Sequence, residues 1–254
     1  MKGNKIEAND VSFNLGKGSA QAQISVSQFD GPTPKVSIKG MAKDFTLKQI
    51  IATTDSNAKV SGGASQLTVN LQSSGISPHQ LAGRANGAIQ MSVGPSKLDS
   101  EFLNKGDDFL ITVFDAINPL YKKSNQTVVE CAVFCLPISN GIVNIKGLVG
   151  VVTDRLNIVL SGSMNLNNEV LDININPSEK SGLTTGVDLG GFVKVEGTLQ
   201  NPKVGVNKTG VVNSAVLIGL GFLTGGISIA AENAKSLATK SQPCKTALYS
   251  WSEI

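Results

Sequence analysis

The sequence predicts a mainly β protein with a few helices, and three observations predict it. Apolar and polar residues alternate in a series of short segments, among them QAQISVS, KVSIKG, QLTVNLQ and GAIQMSV. Twenty-seven glycines supply turn positions between such segments. Charged residues make up only 16% and aromatics 5%, too few of the former for a set of long solvated helices. A β-rich chain of 254 residues can form one body around a single sheet.

Taken in order, the N-terminal MKGNKIEANDVSF is polar and already strand-like, without the charged and apolar blocks of a signal peptide. Strands are expected at Gln21–Ser27, Lys35–Gly40, Gln66–Gln72 and Gly87–Gly94. Two short helices should link them, Thr46–Ala52 and Ser77–Gly83, each opened by a residue able to cap it. Leu98–Leu120 then changes period: Leu98, Phe102, Leu103, Phe109, Leu110, Val113, Phe114 and Ile117 recur as on an amphipathic helix, which Asn118-Pro119 ends. Strands resume at Thr127–Leu136, Ile142–Val152, Arg155–Ser161, Val170–Asn176, Phe192–Glu196 and Lys203–Val206. Asn140-Gly141 is a two-residue hairpin signal, because a type I′ turn needs positive φ at both positions.

The segment 209–231 is uncharged and long enough to span a bilayer, yet its five glycines between Gly210 and Gly226 and its Asn and Ser residues disfavour insertion. Two short helices broken near Gly225-Gly226 are the preferred reading, with Leu217, Leu220, Phe222 and Leu223 covering apolar sheet. The division is therefore a β domain over 1–208 with a helical insertion at about 98–120, and a C-terminal helical cap and tail over 209–254.

Composition excludes several function classes. The net charge of +3 is small, and Arg84 and Arg155 are the only arginines, so no basic stripe addresses nucleic acid. His79 is the lone histidine and no neighbour suggests a catalytic role; Asp107, Asp108 and Asp154 read as helix-start and turn residues. Gly219-Leu-Gly221 with Gly225 lacks dinucleotide-loop spacing. No catalytic residue, metal site or cofactor is expected.

Three cysteines allow one bridge. On a strand, Cys131 and Cys135 share a face but stand about 13 Å apart, so any disulfide uses Cys244; buried free thiols are the alternative.

The strands repeat one feature, an apolar residue at every second position: Ile24, Val26, Val36, Ile38, Val69, Leu71, Ile89, Met91, Leu156, Ile158, Leu160, Leu171 and Ile173. Either these fill a core against a second sheet or the long helix, or they line an open channel, a reading that the scarcity of aromatics favours.

One stretch carries a resemblance. AINPLYKKSNQTVVECAVFCLPISNGIVNIKGLVGVVTDRLNIVLSGSMNLNNEVLDININPSEK, the echo GTLQNPKVGVN and the late Pro243-Cys244, together with the Gly-rich strands from Lys59 to Gly94, resemble the C-terminal region of the AsmA-like family of bacterial envelope proteins, relatives of bridge-like lipid transport proteins. The resemblance implies a strongly curved, antiparallel-rich sheet forming an open trough with helices at its end. It implies a periplasmic carrier of phospholipids between the inner and outer membranes of a Gram-negative bacterium, anchored to the inner membrane by an N-terminal segment absent here. Acyl chains would touch Ile24, Val26, Val36, Ile38, Val69, Leu71, Ile89, Met91, Leu156, Ile158, Leu171 and Ile173, and Cys131 would pair with Cys244. Other partners would be outer- or inner-membrane proteins. A lipid crossing water exposes acyl chains at roughly 0.8 kcal/mol per methylene, a barrier that an apolar trough lowers. An open face should also tolerate Val69→Asp and Ile158→Asp with the fold partly intact. The alternative from another class is a non-catalytic assembly factor acting on outer-membrane protein biogenesis through exposed strand edges.

Overall fold

A computed structural model of the chain describes residues 4–51, 60–99, 126–154, 156–179, 193–206 and 243–244. They form one 13-stranded antiparallel sheet with two short helices. The first strands are β1 (Lys5–Leu15), β2 (Gly18–Ser27) and β3 (Lys35–Thr46), followed by α1 (Leu47–Ile51), β4 (Val60–Gly62) and β5 (Ala64–Ser74). Then come α2 (Pro78–Gly83), β6 (Asn86–Val93), β7 (Ser96–Asp99), β8 (Gln126–Ser139), β9 (Ile142–Thr153), β10 (Leu156–Asn165), β11 (Val170–Glu179), β12 (Val193–Thr198) and β13 (Asn201–Val206). The spatial order is β1-β2-β3-β5-β6-β8-β9-β10-β11-β12-β13, with β4 on β7 and β7 on β8.

Apart from β4 and β7, each strand thus lies beside its neighbours in sequence, and local turn chemistry closes the hairpins. Between β8 and β9, Asn140 (φ 48°) and Gly141 (φ 73°) both take positive φ, and Ser139 pairs with Ile142. A side chain at Gly141 would also strike the Gly83 carbonyl, 2.4 Å from the Cβ position. At α2, Ser77 caps the helix by accepting from the Gln80 N–H at 3.2 Å, and Pro78 fills the first turn, where its missing donor is harmless. At α1, Gln49 reaches back to accept the Thr46 N–H at 2.7 Å, half of a capping box.

Two differences from the sequence expectations have local causes. Leu98 is not the start of a helix: it sits in β7, buried, paired with Val60 and Thr127. Its periodic match to Phe102 loses to the Ser96-Lys97-Leu98-Asp99 alternation once β4 and β8 flank it. The strand expected to begin near Gln66 starts earlier, at Ala64, and a further short strand lies across a corner before β5 and after β6. Gly63 donates to the Pro95 carbonyl and Gly94 to that of Ala64, so β4 continues β5 and β7 continues β6 around a shared corner. Residues 100–120, the remainder of the expected helix, and 209–240, the expected cap, lie outside the described residues, as do Asp107, Asp108 and Arg155.

Register places the apolar alternation on one face throughout. One transverse row runs Ala8, Ile24, Ile38, Leu71 across β1, β2, β3 and β5. Another runs Met91, Phe134, Val149, Leu160, Ile175 across β6, β8, β9, β10 and β11. The opposite face carries Ser25, Ser37, Gln72 and Asn86 in one row. A one-residue slip would exchange the two sets, so burial of the apolar face pins the register. The core is this face from β6 to β12, where Val60 and Leu98 on the bent extensions join Val149, Ile158, Ile173 and Val195 in one cluster.

Candidate functional site

The twelve residues expected to meet acyl chains lie on one face, but they do not share one environment. Ile24 and Ile38 remain 37% and 36% exposed, and Val26, Val36, Val69, Leu71, Ile89 and Met91 are half-buried. Leu156, Ile158, Leu171 and Ile173 are 0–2% exposed and belong to the packed core. These four are therefore core residues in this structure and not an open lining, and the expectation that Ile158→Asp spares the fold does not survive. Its side chain has no water to turn to. The face is most exposed toward β1, where Ile6 and Phe13 also stand more than half in solvent.

The transition between the exposed and packed parts contains a cleft. β3 supplies Val36 and Ile38, β5 supplies Leu71, and β6 supplies Ile89. Strands β5 and β6 are joined through α2, which carries Leu81 and Ala82 back over these residues. Ser73 pins the helix there: its hydroxyl donates to the Leu81 carbonyl at 2.6 Å, so a polar group on the apolar face is satisfied. The cleft has a volume of about 260 Å³, with no charged residue in its lining. That is slightly below the usual few-hundred-Å³ range of small-molecule sites and suits a segment of an alkyl chain. Four of the expected residues, Val36, Ile38, Leu71 and Ile89, meet here. Sequence reasoning missed Leu81, Ala82, Ala85, Ile138 and Leu166, which complete the walls. Leu81 was detectable as the apolar residue of SPHQLAG; Leu166, in the turn between β10 and β11, carried no signal.

The other face holds the disulfide. Cys131 and Cys244 are bonded, with Cα atoms 6.4 Å apart across 113 residues of sequence, and Cys135 is a buried free thiol beside Gln90. Cys131, Val133 and Val152 form a small cluster with Cys244. Cys131 and Val133 alternate with Ala132, which faces the main core, so the bridge ties Pro243-Cys244 to the face away from the apolar one. Gly150 makes the approach possible: a Cβ there would come within 2.6 Å of the Pro243 backbone.

The remaining candidates for chemistry are sparse. His79, expected to lack an acidic neighbour, has Glu169 at 3.9 Å, a solvent-exposed contact brought about by the turn before β11. Among the described residues no group of three or more His, Cys, Asp or Glu is placed to hold a metal ion, and no helix is long and apolar enough to cross a membrane. Lys194 on β12 lies between Asp172 at 3.1 Å and Glu196 at 2.6 Å, and hydrogen bonds to Glu196 and then Asp172 raise its pKa above the ordinary lysine value.

No family model, curated protein or solved structure matches this chain.

Proposed function

We propose that this chain is a non-catalytic, groove-type carrier of phospholipid acyl chains in the bacterial periplasm, as its resemblance to the AsmA-like family implies, contributing to transport between the inner and outer membranes. In this reading the sheet curves into a trough, with acyl chains on the apolar face and headgroups at the strand ends. The observation that carries it is the exposed part of the apolar face, where Ile6, Ile24 and Ile38 lead into the uncharged cleft beneath α2. Exposed apolar residues that adjoin one another, rather than lying scattered singly, mark interaction surfaces. At about 4.8 Å per strand, the eleven strands of the main path extend the face across roughly 50 Å.

The test is photo-crosslinking in the native envelope, with a crosslinking residue at Ile24, Ile38 or Leu71 and, as controls, at the exposed opposite-face residues Gln23, Lys39 or Asn70. Mass spectrometry should find lipid adducts at the first set only. Absence of lipid from both sets, with no lipid in extracts of the purified protein, would sink the reading. One observation favours the assembly-factor alternative: among the described residues β1 and β13 pair on one side only. Protein adducts confined to β1 would support that alternative.

A further inference from the structure

Positive charge gathers at one end of the strands. On the polar face, the first residues of β1 and β3, the last of β2 and the start of β6 enclose a second cleft of about 520 Å³. Lys5, Lys35 and Arg84 line it together with Ser25, Ser27 and Ser37, and no carboxylate does. Lys5 is engaged by Glu7, whereas Lys35 and Arg84 form no ion pair among the described residues. Both are exposed. This cleft and the apolar one share Val36, Gln72 and Ser73, so they lie back to back across the first residues of β3 and the last of β5. Apolar and cationic surfaces therefore meet at a single rim, and Ile76, 72% exposed, stands just past β5 beside it.

We propose that this rim is a headgroup subsite, in which Lys35 and Arg84 hold the phosphate of an anionic phospholipid whose acyl chain enters the apolar cleft. The inference rests on the lipid-carrier reading and adds selectivity to it. A guanidinium offers a planar pair of donors that matches two phosphate oxygens, a lysine adds a point charge, and serine hydroxyls can donate to the remaining oxygen. A zwitterionic lipid gains less, because its own ammonium group faces the same two cations. An anionic headgroup meets no carboxylate in the cleft, and it remains in solvent at the rim while the chain is covered.

The test titrates the whole protein with phosphatidylglycerol and with phosphatidylcholine of identical acyl chains, each competing against a fluorescent fatty-acyl probe. Phosphatidylglycerol should bind more tightly. Lys35→Gln and Arg84→Gln should each weaken it about fivefold, and the double variant roughly 30-fold, with phosphatidylcholine unchanged. Both side chains are exposed, so the fold is not at stake, and Lys35→Arg should restore the preference. Equal affinity for the two lipids, or a preference undiminished in the double variant, overturns the subsite while leaving lipid carriage standing. Failure of both lipids to displace the probe overturns carriage and the subsite together. Inorganic phosphate binding as tightly as phosphatidylglycerol would assign the cleft to a free anion and overturn the headgroup reading.

Discussion

Placing a carboxylate at two positions on the same face, Ile38→Asp and Ile158→Asp, should separate the exposed part of the sheet from its packed part. Ile158 is 0% exposed, so its replacement forfeits the full transfer energy of the side chain, about 2–3 kcal/mol. The new carboxyl must also stay protonated at neutral pH, and a pKa raised by about three units costs about 4 kcal/mol. The total of about 6 kcal/mol is comparable to the whole stability of many domains. Ile38 lies between Ile24 and Leu71, half out of the packing, and an aspartate there reaches water. It loses only about 1–2 kcal/mol of burial and cross-strand contact. Thermal melting followed by far-UV circular dichroism should show Ile38→Asp lowered by about 2–8 °C and Ile158→Asp without a cooperative transition. Ile158→Val, costing about 0.5–1.5 kcal/mol, verifies that the site tolerates a smaller apolar group. If the two aspartate variants melt within about 1 kcal/mol of each other, the gradient of burial along the face is wrong.

Three further outcomes are expected. Non-reducing peptide mapping should recover a Cys131–Cys244 peptide with Cys135 alkylated only after unfolding, and Cys244→Ser should cost up to about 4–5 kcal/mol, since the bridge closes a loop spanning 113 residues; an unchanged melting point would count against it. Gly141→Ala should destabilise by about 1–3 kcal/mol, because the residue needs positive φ and its Cβ position is occupied by the Gly83 carbonyl; denaturant midpoints that match wild type would contradict this. The pKa of Lys194 is raised in the folded state, so its stabilisation is complete below the unfolded lysine pKa of about 10.4 and is lost as pH rises through the higher folded value. The loss is under about 1 kcal/mol because Asp172 and Glu196 are largely solvated, and Lys194→Met should abolish that part of the alkaline slope in melts from pH 9 to 12.

Strand positions were legible because period-two alternation is a direct consequence of pleat geometry, and hairpins because Asn140-Gly141 leaves the chain few turns to choose from. Alternation also identified which residues share a face. It could not say what covers them: Ile38 and Ile158 sit in the same kind of pattern, and their difference arises from strands far along the chain. β4 escaped notice because three residues carry no periodicity, and Leu98 was misassigned because a short strand can coincide with helical spacing. The cleft was half legible. Its strand walls followed from alternation, but its roof depends on how α2 folds back, which the Ser73 hydroxyl and the Leu81 carbonyl settle through space.

The sheet's order has a consequence for how such a surface can change in size. Apart from β4 and β7, which lie off the main path, every link of that path joins strands that follow one another along the chain. Most links of this path are hairpins between consecutive strands, whose loop-closure cost is low, so much of the sheet can grow strand by strand. A hairpin inserted or deleted in such an arrangement lengthens or shortens the apolar face by about 10 Å and leaves the pairing on either side unaltered. Reach is thus a property that duplication of a short segment can tune, independently of the chemistry at any one position along it.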